Sequence, residues 1–187
     1  MADFKHRPHK RRRLNSPQRV EDDEIIPPPF KWATNRPATV HTLNYLRDNN
    51  IRFICGEVQC KKCNARYKIH HNLQRKFSEI RSFVIENVES FNQRAPTEWM
   101  NPKLPDCKEC KKVDSMKPVI SPEKSSINWL FLLLGNLLGC CTLEQLKYFC
   151  KHTQQHRTGA KDRVLFAVYV TLCKQLEPEG PFVVPTY

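Results

Sequence analysis

The chain has 187 residues, 40% hydrophobic and 27% charged, the balance of a globular chain with room for one domain of ordinary size and a tail. Its 31 Lys and Arg against 19 Asp and Glu leave a formal charge of +12; the first 24 residues hold only +2 of that, so the body of the chain is itself basic and favours an anionic partner such as nucleic acid, an acidic protein or a phospholipid surface. The composition argues against a membrane, secreted or collagenous protein: the longest apolar run, residues 129–138, is interrupted by Gly135 and Asn136 and falls short of a bilayer, and no leader-like segment opens the sequence.

Residues 1–29 read as a disordered tail, poor in large apolar side chains, with a basic block (Lys10, Arg11, Arg12, Arg13) ahead of an acidic one (Glu21 to Glu24). The basic block is a candidate nuclear import signal, which makes the nucleus the expected location and the cytoplasm the alternative. Pro27 to Pro29 form a stiff segment leading into Phe30 and Trp32, where a single α+β domain over residues 30–183 is expected to begin.

Thr39 is placed to cap a short helix carrying Val40, Leu43 and Leu46, with Asn49 and Asn50 ending it. Residues 51–55 alternate as a strand does, with Gly56 as a bend or bulge, and Ala65 to Ile69 reads as a second strand. From Leu73 to Phe91 apolar residues recur every three or four positions, the period of a helix with one buried face. Residues 95–105 read as a proline-broken loop that inserts Trp99 into the core, and residues 116–125 as a second extended stretch.

The last third is helical in pattern, residues 125–177. Ser125 or Ser126 is expected to cap a helix over residues 128–138, ended by Gly139 and apolar nearly all round, hence the central helix of the fold. Thr142 with Gln145 makes a capping box for a helix reaching about His152, and Gly159 precedes a third helix to about Leu176.

Nine cysteines, an odd number in a chain with no secretory leader, do not form a disulfide framework. Four of them make two C-x-x-C pairs, Cys60 with Cys63 and Cys107 with Cys110. A two-residue gap lets one tight turn present both sulfurs to a metal, and two such turns close a tetrahedron around a structural Zn²⁺, with no ligand position left for catalysis. Asn64 after the first pair tolerates the left-handed backbone that ends such a knuckle; the second pair is followed by Lys111, which does so poorly. Because residues 64–106 separate the pairs, the zinc site of residues 55–112 is expected to be ribbon-like with a helix inserted between its knuckles. Cys55, His70 and His71 are the substitute ligands if one cysteine stands aside. Five lysines in or beside the knuckles (Lys61, Lys62, Lys108, Lys111, Lys112) suit a centre of two negative charges.

Two other clusters have a chemical reading. Cys150, His152 and His156 look metal-like, but only the two histidines, four apart, share a helix face; the plainer reading is a buried thiol with histidines at a helix end. Arg157, Lys161 and Arg163 surround Gly159 at an expected helix start, where free N–H groups suit an anion; the plainer reading is a solvated helix start with Asp162 as a favourable acid. No nucleotide-binding, metalloprotease or hydrolase motif is present, and no third group accompanies Cys150 and His152, so a non-enzymatic role is expected.

Several segments carry a family resemblance: residues 32–36 (WATNR), 56–63 (GEVQCKKC), 94–102 (RAPTEWMNP), 117–120 (KPVI), 127–135 (INWLFLLLG) and 156–163 (HRTGAKDR). Over about residues 28–183 the chain resembles a plant-specific family catalogued as domain of unknown function 7086. The resemblance implies a plant source and one integrated domain, and it supplies no activity or site residue. The function expected from the residues is a zinc-binding nuclear protein that contacts nucleic acid through Lys61, Lys62, Arg66, Lys68, Arg157, Lys161 and Arg163, with little sequence specificity and strong salt dependence. The alternative is a plant protein-interaction adaptor that uses the knuckles and the Pro27–Pro29 segment as a docking surface.

Overall fold

The computed structural model describes residues 25–87, 89–155 and 159–183; Lys10, Arg11, Arg12 and Arg13, with most of the expected tail, lie outside them. Among the described residues, three antiparallel strands and six α-helices make an α+β fold, as the sequence pattern suggests. Buried side chains from Trp32 to Phe182 form one hydrophobic cluster.

The first helix, α1 (Leu43–Asp48), starts later than expected: Thr42 caps it, its hydroxyl accepting the Tyr45 N–H at 3.3 Å, while Val40 sits upstream in an isolated bridge to Ala33. The strands β1 (Phe53–Cys60) and β2 (Arg66–Asn72) pair antiparallel from Phe53↔Asn72 to Gln59↔Arg66. Gly56 does not bend β1 as expected. It lies within the strand because Phe131 packs directly on it; a Cβ there would fall 2.4 Å from Phe131 Cδ1. A third strand, β3 (Met116–Pro118), pairs with β1 on its other edge, giving the order β2-β1-β3. The sequence marks this stretch only as extended, since three residues ending in proline carry no readable alternation.

Helix α2 (Leu73–Asn87) buries Leu73, Phe77, Ile80 and Val84, the stripe its period predicts. Phe91, beyond its end, still reaches the core and packs edge-on to Phe166. Residues 95–105 include a one-turn helix, α3 (Thr97–Met100), which holds Trp99 stacked 3.8 Å from Tyr169.

The long central helix expected over residues 128–138 is much shorter. Asn128, not Ser125 or Ser126, caps α4 (Trp129–Leu134), and Gly135 ends it; Asn136 then takes a left-handed conformation and residues 138–140 form a 3-10 turn. Asn128 binds on three sides: its Oδ1 accepts from Trp32 Nε1 (2.9 Å) and Phe131 N–H (3.3 Å), and its Nδ2 donates to the Cys55 carbonyl (2.9 Å). One side chain thus ties the N-terminal segment, the sheet and α4 together. The capping box of Thr142 and Gln145 opens α5 (Leu143–His152) as expected. The core axis is α6 (Lys161–Leu176), whose residues from Val164 to Cys173 are all buried. It meets α3, α4 and α5, while α4, short as it is, has all six residues buried and lies between α2, β1 and α6, the central position its composition suggests.

Candidate metal centre

The hairpin between β1 and β2 carries Cys60 and Cys63, and the turn before β3 carries Cys107 and Cys110. The β1–β3 pairing brings the two turns together across more than forty intervening residues. Cys60 pairs with Met116, and the Lys61 N–H donates to the Ser115 carbonyl at 2.9 Å. The four sulfurs lie within 4.8 Å of one another. Cys60 Sγ is 3.7 Å from Cys110 Sγ, and Cys63 Sγ is 3.6 Å from Cys107 Sγ. A tetrahedron with metal–sulfur bonds of about 2.3 Å has sulfur–sulfur edges of about 3.8 Å, so these separations fit a metal and are far too long for a disulfide. Among the described residues this is the one cluster of ligand side chains able to hold an ion. The substitute ligands Cys55, His70 and His71 stay outside it; His71 instead stacks on Phe131.

The two knuckles repeat one backbone design. The Cys60 N–H donates to the Ala65 carbonyl and the Cys107 N–H to the Lys112 carbonyl, both at 2.9 Å and both five residues on. The residue after the second cysteine is left-handed in each: Asn64 at φ 60° and Lys111 at φ 56°. The second knuckle therefore adopts the conformation for which its sequence is poorly suited, and a lysine is held where Asn or Gly is favoured.

Hydrogen bonds around the thiols favour thiolate. The Cys63 N–H draws Cys60 down to about 6, against the effect of burial, with help from the Lys62 N–H (3.3 Å from the sulfur) and the Ser115 hydroxyl. The Ala65 N–H favours the thiolate of Cys63 as well, but burial and the thiols of Cys107, Cys60 and Cys110 outweigh it and push Cys63 up to about 11. Four sulfurs at this spacing are held together as thiolates by a cation among them.

A second layer of side chains fixes the turns. Tyr67 of β2 donates its hydroxyl to the Asp106 carbonyl (3.1 Å) and accepts from the Lys108 N–H (3.3 Å), and the Lys108 ammonium stands 5.5 Å from the Tyr67 ring centre. Asp114 accepts from the Leu104 N–H (2.6 Å), and Asp106 accepts from the Asp114 N–H (2.9 Å). Ser115, almost wholly buried, donates to the Lys112 carbonyl at 2.7 Å. Sequence reasoning misses this layer because isolated Tyr, Asp and Ser residues in a loop carry no spacing signal.

The basic residues fall into groups. Lys61 and Lys62, with Lys108, Lys111 and Lys112, are exposed on the knuckles. Arg66 and Lys68 point outward from β2, the Arg66 guanidinium donating to Gln59 Oε1 at 2.9 Å. Lys161 is not a free cation at a helix start: its ammonium donates to the Gly139 carbonyl at 2.7 Å. Arg163 is exposed, next to Asp162, which is paired with Arg94 at 2.6 Å. Arg157 and His156 lie outside the described residues. The His152 ring packs tilted against Tyr148, and Cys150, on α5, is fully buried. At the corner after α4, burial raises the Cys140 thiol against the opposing pull of Lys117, Lys161 and Lys61.

The chain belongs to the family described as Domain of unknown function (DUF7086), whose model matches residues 43–176, both knuckles and the helices up to the end of α6. Comparison with the curated proteins and with the solved structures returned no match. Among the described residues, no helix is long and apolar enough to cross a membrane.

Proposed function

We propose that this is a non-enzymatic nuclear protein with a structural zinc site that contacts nucleic acid through basic, phosphate-directed side chains. Zinc is the ion that four thiolates in a tetrahedral, fully occupied set favour, and a closed set leaves no position for a reactive water. The observation that carries the nucleic-acid reading is the placement of charge around that centre. Lys61, Lys62, Lys108, Lys111 and Lys112 stand exposed on the two turns, and Arg66 and Lys68 extend the positive surface along β2. The five ammonium groups match in number the centre's two negative charges and the carboxylates of Asp106, Glu109 and Asp114, so Arg66 and Lys68 are the excess, aimed at solvent, where phosphates are available to neutralise it. Lys161 and Arg163 stand at the start of α6, Arg163 exposed and Lys161 half-buried with its ammonium on the Gly139 carbonyl. Residues Lys10 to Arg13 support nuclear residence by composition alone.

The test is binding of the zinc-loaded chain to DNA and RNA across a series of salt concentrations. The reading expects affinity that falls steeply with salt, about 0.7–0.9 in log–log slope per phosphate contact, and little dependence on sequence. Affinity indifferent to salt, or no binding at low salt, contradicts it and favours a docking role for the same surface.

A further inference from the structure

The three-stranded sheet has one face on the core and one on solvent, and the solvent face is not merely polar. Side chains alternate along each strand, and the register places Phe53, Cys55, Glu57 and Gln59 of β1, Arg66, Lys68 and His70 of β2 and Lys117 of β3 on the outer face. Their inward neighbours Ile54 and Val58 are wholly buried, whereas Phe53 is 57% exposed, a large aromatic ring whose burial the fold does not use. Phe53 opposes Asn72, so His70 is its diagonal neighbour on the same face, about 7–8 Å away. At the opposite end Gln59 has Arg66 on one side and Lys117 on the other. Arg66 is held flat against the sheet by its hydrogen bond to Gln59. Lys68 lies between the two ends, opposite Glu57, and beyond Gln59 the strip runs on to Lys61 and Lys62.

Two rings at one end and, leading away from them, cations that outnumber the one carboxylate among them, Glu57, are the parts a flexible polyanion with flat bases requires. We infer that the outer face of the β2-β1-β3 sheet binds a single strand of nucleic acid, with bases stacking on Phe53 and His70 and phosphates meeting Lys68, Arg66 and Lys117. This rests on the nucleic-acid reading above and narrows it to a surface and a strandedness. A base offers its face to an exposed ring only when unpaired, and among the described residues no helix or ribbon projects from this face to enter a duplex groove. The eight residues of β1 span about 26 Å, room for about four extended nucleotides, the lower end of what one such platform holds. An acidic peptide would match the cations but leave the rings unused.

The experiment uses the full zinc-loaded chain with a labelled oligouridylate, an oligothymidylate and a duplex of equal phosphate number, titrated at several salt concentrations. We expect both single strands to bind at least about tenfold tighter than the duplex. Phe53→Ala should weaken single-strand binding by about tenfold or more without changing the salt slope or duplex binding, and His70→Ala should act in the same direction and more weakly. Lys68→Glu should flatten the salt slope, whereas Lys147→Glu, the same charge change on α5, should have a much smaller effect. Zinc content and helical signal verify that each variant is folded, and His70→Ala stands in for Phe53→Ala if the latter is not. Equal affinity for duplex and single strand, or ring variants without effect, overturns the inference while leaving the nucleic-acid reading in place. Equal effects of Lys68→Glu and Lys147→Glu also overturn it, by making the attraction general. Absence of binding to every probe at low salt removes both.

Discussion

The metal end and the helical end of this molecule reach order by different physics. Around α6, ten consecutive residues are buried and aromatic rings stack from Phe91 through Trp99 to Tyr169, so geometry there follows from apolar area withdrawn from water. Around the knuckles, Lys61, Lys62, Cys63, Lys108, Lys111, Lys112 and Val113 are all exposed, and the turns close on four sulfurs and a few hydrogen bonds. A helix tolerates the loss of one contact among many; a turn organised by one ion does not. The contrast implies that the two ends will respond to different insults.

The largest effect should come from removing a ligand. Cys60→Ser, or a strong chelator, should abolish zinc binding and destabilise the knuckles by more than about 4 kcal/mol. Hydrogen exchange should show residues 58–68 and 105–118 losing protection while α6 keeps its own. Loss of protection at both ends alike would break the comparison. The joint between the ends is the next point to probe. Gly56→Ala puts a methyl group into the Phe131 ring and should destabilise the chain by about 3 kcal/mol in denaturant melts, with zinc still bound. In a Phe131→Ala background the same glycine substitution should cost far less, because the ring it meets is gone.

Much of this arrangement is legible in the sequence, and the parts that are not have physical reasons. The two cysteine pairs, the buried stripe of α2 and the capping box of α5 are short-range signals carried by spacing alone. The length of α4 is not, because the run from Trp129 to Leu134 is apolar at every position and carries no period, and whether a helix continues through Gly135 and Asn136 to Leu138 is not written in it; Asn136, turning the backbone left-handed, ends it. Nor is the continuity of β1 through Gly56, since the reason for that glycine is a ring 75 residues away in the chain. Within the metal site the ligands are readable, while Tyr67, Asp106, Asp114 and Ser115, which hold the turns in place, emerge only once β2 and β3 flank β1.

The comparison also sharpens within the metal end, where two knuckles of one geometry carry different residues at the left-handed position. Lys111→Gly should stabilise the chain by about 1 kcal/mol, and Asn64→Ala should destabilise it by a similar amount, both read as shifts in the zinc-bound melting transition. Equal responses to alanine at 64 and 111 would mean that the two turns are not equivalent in strain.

The smallest effect expected belongs to the helical end. Arg94, hydrogen-bonded to Asp162, holds that carboxyl below its ordinary value of 3.8, aided by the Arg163 N–H. A carboxyl depressed by folding contributes its stability in full above pH 3.8 and loses it as the pH falls through the lower folded-state value. Both partners are partly exposed, so Asp162→Asn should cost only about 0.5 kcal/mol at neutral pH and nothing in strong acid. An Asp162→Asn deficit that persists unchanged in strong acid would assign the effect to packing instead.

X-ray absorption at the metal edge, with metal content measured on the natively purified chain, is the most direct test of the central claim. The account expects one zinc per chain with four sulfur neighbours at about 2.3 Å, falling below four in Cys110→Ser. A native chain without metal, or a zinc shell containing nitrogen or oxygen in place of a cysteine, would contradict it.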